Sequence, residues 1–319
     1  MHVRKKRPSK LRWIQGLVAI APSLFLIQPV SAQDMVSKLC ATRVSFAITG
    51  QAPNASLLNE TNPRDSKILD ELLASDAFKE RFARFANSQF NEGPGEKSAE
   101  DATYHMVKHV LDNDLKWEEV FVGRYNVVSE NRNVRVVEDP NGLGYTRSEA
   151  WKARYAGNEG DGVRINTAYR VMQNTFGLEL VAANLPADAD TTADGRTDMP
   201  CASCHFDATA ALDPVAEAFP NVRRDRNGQI TGYARPNSEP TQMLGGNVIT
   251  TDGELMRLLV DSVDHQYHVC ELAYKYLTGR HEDKCDNLQM AACLAAFRDT
   301  GKLKDAVKTL VSDELFCKS

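Results

Sequence analysis

The chain has 319 residues, of which 42% are hydrophobic and 25% are charged, and its net charge is −5. This composition is typical of a globular protein, and it excludes a disordered or low-complexity chain. The net negative charge disfavours binding to DNA or to anionic lipid, so we expect no nucleic-acid partner.

The first 32 residues have the pattern of a signal peptide. Six basic residues and no acidic residue accompany an apolar run over residues 17–27, and Val30-Ser31-Ala32 provides small residues for cleavage. The apolar run is too short to span a bilayer, which needs roughly 20 residues. We therefore predict cleavage after Ala32 and export to the bacterial periplasm or beyond. The 287 residues that remain carry a net charge of −11 and contain no further stretch that approaches membrane-spanning length.

Residues 33–160 are predicted to form an N-terminal, mainly helical region. Apolar residues recur at helical spacing over residues 64–87, and further helices are expected over residues 99–112 and from residue 115. Valines lie among polar residues between positions 125 and 145, which indicates short strands or an extended loop. The chain contains no nucleotide-binding glycine loop, zinc-protease motif or nucleophile elbow.

A single Cys-x-x-Cys-His sequence, Cys201-Ala-Ser-Cys204-His205, follows a predicted helix over residues 163–180. In an exported protein this spacing is typical of covalent haem c attachment. The two thiols add to the two vinyl groups of one porphyrin, and His205 binds the iron as its proximal ligand. A disulfide-exchange motif and a structural thiol pair are the alternatives. No strand–helix–strand pattern precedes Cys201, which disfavours the exchange motif.

Two residues near the motif are candidates for supporting roles. The second ring nitrogen of a ligating histidine usually donates to a carbonyl group. The Pro214 carbonyl is a candidate acceptor, although Pro214 could equally be an ordinary loop proline. Arg196 is either a partner for a haem propionate or a solvent-facing loop arginine.

The second axial position of the iron decides the chemistry. A methionine suits electron transfer, a second histidine lowers the potential, and an open position permits ligand binding or peroxide chemistry. Met243 is the predicted distal ligand, because it follows His205 by 38 residues in a loop-like stretch. Met256, His265 and His268 are the alternatives, with core packing or surface exposure as their ordinary roles.

The C-terminal part is predicted to be helical after an irregular stretch from residue 213 to residue 230. Helices resume at Asp252, a good N-cap, with a stop at Gly279, and two more over residues 287–299 and 302–312 are separated by Gly301. The predicted fold is mainly α, with a cytochrome c-like haem domain, additional helical regions and a loop-rich middle. Residues 161–319 are expected to form the haem-binding region with its C-terminal helical block.

Three segments of the chain resemble a family. They are Gly195-Arg196 before the motif, Asp213-Pro214 after it, and a C-terminal block that contains Cys270, Tyr276, Gly279-Arg280, Asp286, Phe297, Gly301, Leu303, Ser312 and Phe316. This order is similar to that of the bacterial planctomycete-cytochrome-type haem c proteins, whose C-terminal helical domain has no known function. The resemblance covers about residues 160–319 and implies haem c and export. Ala216 stands where the family has a glycine, and the chain is shorter than typical members.

Seven cysteines lie in the part that follows the predicted leader, and two of them belong to the motif. An oxidising compartment permits disulfides among the remaining five. Since five is an odd number, at least one is free or pairs between chains. The resemblance implies a Cys270–Cys285 bond across the Gly279 turn, and a second bond is expected between Cys293 and Cys317. The fate of Cys40 is left open.

These features lead to three hypotheses about function. The first is an exported monohaem cytochrome that passes single electrons to a redox partner protein and needs no catalytic acid or base. The second is a haem-dependent oxidase or peroxidase with an open distal site. The third is a haem-bearing module of a surface complex. The length of the region before the motif favours a role beyond a bare electron carrier, without saying which.

Overall fold

The structure is a computed structural model. It describes residues 32–95, 98–130, 133–155, 165–180, 190, 192, 194–206, 211–219, 222–226, 230–233, 241–243 and 247–318. Within these ranges, the side chains of residues 32–33, 153, 222–224, 230–233 and 241–243 are not described. Apart from Ala32, where the first helix begins, the predicted signal peptide lies outside the described residues.

The described part of the chain is mainly helical, as predicted. Its α-helices are α1 (Ala32–Thr49), α2 (Ala55–Leu58), α3 (Ser66–Ala74), α4 (Asp76–Phe90), α5 (Ala102–Asp112), α6 (Glu119–Val122), α7 (Glu149–Tyr155), α8 (Ile165–Phe176), α9 (Ala202–His205), α10 (Leu212–Glu217), α11 (Asp252–Val260), α12 (Val263–Thr278), α13 (Asn287–Thr300) and α14 (Leu303–Ser312). Short 3-10 helices lie at Ala99–Asp101, Gly195–Thr197, Lys284–Asp286 and Glu314–Cys317.

The described residues also form three antiparallel strand pairs, which lie between the helices. They are β1 (Tyr125–Glu130) with β2 (Asn133–Glu138), β3 (Val222–Arg224) with β4 (Ile230–Tyr233), and β5 (Thr241–Met243) with β6 (Asn247–Ile249). The first pair confirms that the valine-rich stretch forms short strands, and it aligns Val127 with Val136. The second pair and α10 occupy parts of the stretch from residue 213 to residue 230 that was expected to be irregular, and β5 lies in the stretch around Met243 that was expected to be loop-like.

Local capping sets helix boundaries that apolar spacing alone did not show. The predicted helix over residues 64–87 is two helices, because Ser75 ends α3 and its hydroxyl accepts a hydrogen bond from the Phe78 amide at the start of α4. Thr251, rather than the predicted Asp252, caps α11. The Asp252 carboxylate instead pairs with Arg147 at 2.6 Å.

Two glycines turn the C-terminal helices back on one another, as predicted. Gly279 ends α12 with a φ of +74°, and Gly301 ends α13 with a φ of +68°. Glycine adopts this left-handed conformation without the steric cost that other residues meet. The helices α12, α13 and α14 consequently pack against each other at the C-terminal end of the fold.

One hydrophobic core draws side chains from both sides of the expected boundary at residue 160. The Tyr276 ring of α12 lies 4.8 Å from the Phe82 ring of α4, and its hydroxyl donates to the Ile48 carbonyl of α1. In the same core α8 packs against both α4 and α12. The helices before residue 160 therefore support those that follow it.

The disulfide pattern differs from the prediction. Cys270 lies at disulfide distance from Cys293, with 6.0 Å between their Cα atoms, and Cys40 pairs with Cys317, with 5.2 Å between theirs. Cys285 is exposed and free. The expected Cys270–Cys285 and Cys293–Cys317 bonds are wrong because Cys293 lies on the buried face of α13, opposite Cys270 of α12.

Within the ranges described above, none of the helices combines the length and the apolar character needed to cross a membrane.

Candidate functional site

The Cys-x-x-Cys-His motif lies on one helical turn. Cys201 precedes α9, and its carbonyl accepts hydrogen bonds from the amides of Cys204 and His205, each at 3.1 Å. Both cysteines are partly exposed, and neither takes part in a disulfide. The turn therefore presents two free thiols and an imidazole side by side, although the disulfides elsewhere in the molecule are formed.

Asp213 holds the imidazole of the motif. Its Oδ2 lies 2.6 Å from His205 Nδ1. The chain turns between the two residues through Ala211, which has a left-handed φ of +42°, and enters α10 with Asp213 in the first turn. The buried side chains of Leu212 and Val215 anchor α10 in the core. The acceptor for His205 is thus a carboxylate, rather than the carbonyl of Pro214 that the sequence suggested.

The same carboxylate also accepts from Arg196. The guanidinium of Arg196 lies 2.7 Å from Asp213 Oδ1 through Nη2 and 3.2 Å through Nε. The exposed fractions of the Arg196, Asp213 and His205 side chains are 13%, 9% and 19%. Arg196 is therefore neither a solvent-facing arginine nor held for a propionate alone.

These residues fit a covalently bound haem. Since His205 Nδ1 is engaged by Asp213, Nε2 is the ring nitrogen that would bind iron, and a carboxylate on the opposite nitrogen is a common support for a ligating histidine. Two apolar side chains flank the turn and are exposed, Met199 by 75% and Phe206 by 41%. A flat apolar ring over the turn would remove such side chains from water.

For Met243, the predicted distal ligand, the structure describes the backbone only. Met243 ends β5, where its backbone pairs with Asn247 of β6. The strand β5 lies alongside α10, the helix that carries Asp213. The Met243 sulfur lies outside the described atoms, so its role as an iron ligand stays a prediction.

The alternative distal ligands have other environments. Met256 is fully buried on α11. His265 is almost fully buried, its Nδ1 donates to the Thr175 carbonyl at 2.9 Å, and its ring meets the Phe121 ring edge-on at 5.3 Å. Burial lowers the pKa of His265 to about 4, so the ring is neutral at pH 7. These two residues have the surroundings of core side chains.

His268 lies at the edge of a polar cleft. Its Nδ1 is 3.0 Å from Glu271 Oε2, and the cleft has a volume of about 300 Å³ with Gln173, Lys275 and His281 among its lining residues. Burial acts to raise the pKa of Glu271, but the hydrogen bond and the charge of His268 lower it overall. The imidazole is thus held by a carboxylate of its own helix.

Among the side chains that the structure describes, no group of three or more His, Cys, Asp and Glu residues is arranged to hold a metal ion. No protein-family model matches the chain, and neither the curated proteins nor the solved structures contain a significant match to it.

Proposed function

We propose that this protein is an exported monohaem c-type cytochrome that transfers single electrons. Cys201 and Cys204 would form the two thioether bonds, and His205 would be the proximal iron ligand. The observation that supports this most directly is the motif turn, where both thiols are free and His205 Nδ1 is already held by Asp213. A bound haem would supply an iron that takes up and releases one electron.

The residues of the chain then have distinct roles. The α9 turn fixes the separation of the two thiols, and Asp213 fixes which ring nitrogen faces the iron. Arg196 keeps the Asp213 carboxylate in place. Neither electron transfer nor haem attachment requires a general acid or base from the described residues.

Export and a redox partner are parts of the same proposal. The leader pattern, the two disulfides and the resemblance of residues 160–319 to planctomycete-cytochrome-type proteins support an oxidising compartment outside the cytoplasm. The charge of −11 after removal of the leader would attract a basic redox protein by long-range electrostatics.

Haem attachment can be tested on the polypeptide itself. The full chain is expressed with a c-type haem maturation system, denatured, and examined for haem that stays on the protein through a denaturing gel and in a pyridine haemochrome spectrum. We expect covalent haem in the wild type, less in Cys201→Ser or Cys204→Ser, and the wild-type amount in the control Cys285→Ser. A wild-type chain without covalent haem would contradict the proposal.

A haem-dependent oxidase or peroxidase is the second candidate. The observation that favours it is the carboxylate on His205, because a strongly donating proximal ligand increases electron density on the iron, the effect that favours O–O cleavage in thiolate-ligated haem enzymes.

The ferric absorption spectrum separates the two candidates. A sulfur-to-iron charge-transfer band that disappears in Met243→Ala supports the electron carrier. A high-spin spectrum that changes on addition of cyanide or peroxide supports the enzyme instead and removes Met243 as a ligand. Met256→Ala, at a buried position on α11, is the matched control for the loss of a thioether.

A further inference from the structure

Asp213 has a contact that haem attachment alone does not require. Covalent binding needs the two thiols and an iron ligand, and a neutral carbonyl could orient the histidine equally well. In this protein the acceptor is a carboxylate at 2.6 Å from His205 Nδ1, 9% exposed and held from its other side by Arg196. The nature of this acceptor therefore matters for the electronic state of the ligand.

A carboxylate differs from a carbonyl by a full negative charge. A hydrogen bond from the ring N–H to a charged acceptor is stronger than one to a neutral acceptor. It draws the Nδ1 proton toward the carboxylate and increases electron density at Nε2, the nitrogen that would face the iron. A stronger donor stabilises ferric iron more than ferrous iron, since the ferric ion carries the larger charge.

Arg196 acts in the opposite direction. Its guanidinium donates to Asp213 Oδ1 at 2.7 Å, so part of the negative charge of the carboxylate is already neutralised. Both side chains are mostly buried, which leaves little water or salt to screen the three groups from one another. The Asp213 carboxylate therefore accepts hydrogen bonds from both side chains. The Arg196 cation reduces the negative charge that acts on the His205 imidazole.

We propose that Asp213, acting through His205, sets the reduction potential of the bound haem to a low value, and that Arg196 limits how low it becomes. Asp213 is a positioning residue in this scheme, since it touches the ligand and not the iron. The inference rests on the proposed haem attachment and adds the residue that determines which redox partners the haem can serve.

The test compares reduction potentials of holoproteins with equal haem content. Asp213→Asn keeps a hydrogen-bond acceptor but removes the charge, and we expect the ferrous form to be favoured by about tenfold, which is about 59 mV for one electron. Arg196→Gln should shift the potential in the opposite direction. Glu217→Gln removes an exposed carboxylate from the same helix and is the control, with a potential close to the wild type.

A spectroscopic measurement separates action through the ligand from a general effect of charge. Proton NMR of the ferric cyanide adduct reports the His205 ring directly, because its signals are shifted by the unpaired electron. We expect these signals to move in Asp213→Asn and in Arg196→Gln, and not in Glu217→Gln.

The outcomes distinguish the two levels of the proposal. A wild-type chain that carries no haem overturns the proposed function, and the inference with it. Haem-bearing variants whose potentials and ring signals match the Glu217→Gln control overturn the inference alone. If Asp213→Asn does not fold, Arg196→Gln still decides, because an unchanged or raised potential in that variant contradicts the proposal.

Discussion

His265 is an imidazole that the fold keeps neutral. Burial lowers its pKa to about 4 from an ordinary value of 6.5. As the pH falls, this imidazole is therefore protonated at a higher pH in the unfolded chain than in the folded protein. The stability that this residue contributes is complete above pH 6.5 and is lost as the pH falls from about 6.5 towards 4.

We expect acid to destabilise the protein partly through this group. The loss attributable to His265 should reach about 3 kcal/mol at pH 4, since each tenfold difference in proton affinity between the unfolded and the folded state is worth about 1.4 kcal/mol. Urea unfolding between pH 7 and pH 4 measures this loss, and the stability of His265→Gln should decline less steeply than that of the wild type. Equal slopes for wild type and His265→Gln would show that the buried ring does not titrate this way.

The sequence predicted part of the candidate site at the residue scale. Cys201, Cys204 and His205 were identifiable because haem attachment needs these residue types at fixed spacing. The contact of Asp213 was not, since it depends on the left-handed turn at Ala211 that returns α10 to α9. The sequence did contain one indication of this contact. Asp213, an acidic residue, directly precedes Pro214, whose carbonyl was the expected acceptor. Haem ligation itself and the Met243 ligand remain predictions.

At the scale of elements, the Cys270–Cys293 bond joins two helices that pack against each other. Removal of a native disulfide typically costs 2–5 kcal/mol, and the chain-entropy account assigns most of this to the less constrained unfolded state. We expect Cys270→Ser and Cys293→Ser to lower the free energy of unfolding by about that amount, and Cys285→Ser to change it by less than about 0.5 kcal/mol.

Chemical denaturation without reductant measures these three variants. Addition of dithiothreitol also reduces the Cys40–Cys317 bond, so it should lower the stability of the wild type below that of the two destabilised variants. If Cys285→Ser were as unstable as Cys270→Ser, that result would support the Cys270–Cys285 bond expected from the sequence and contradict the Cys270–Cys293 bond.

Helical periodicity predicted most of the long helices, including the glycine stops at Gly279 and Gly301. It did not show the break at Ser75, because the apolar spacing continues through a position where a single hydroxyl cap ends one helix and starts the next. It also missed α10, whose six residues are stabilised by burial against α8 rather than by their own propensity. The disulfide partner depended on which helix face was buried, which closeness in sequence does not give.

At the scale of the whole molecule, the region before residue 160 supports the candidate site through a chain of packed helices. The helix α4 packs against α8, and α8 packs against α10, which carries Asp213. The aromatic contacts of Tyr276 with Phe82 tie the C-terminal helices to the same core. Mainly helical architecture was predictable from composition and periodicity. The joining of the two parts in one core was not, because no local pattern encodes contacts between residues some 200 positions apart.

The bond between Cys40 and Cys317 gives the polypeptide a different covalent topology. It closes residues 40–317 into a covalent ring. A single peptide bond cut anywhere inside the ring leaves one covalent molecule, and two fragments separate only after reduction. Proteolytic cleavage near Cys201 and His205 would therefore go undetected on a gel run without reductant, because the two fragments of a cleaved chain stay covalently joined.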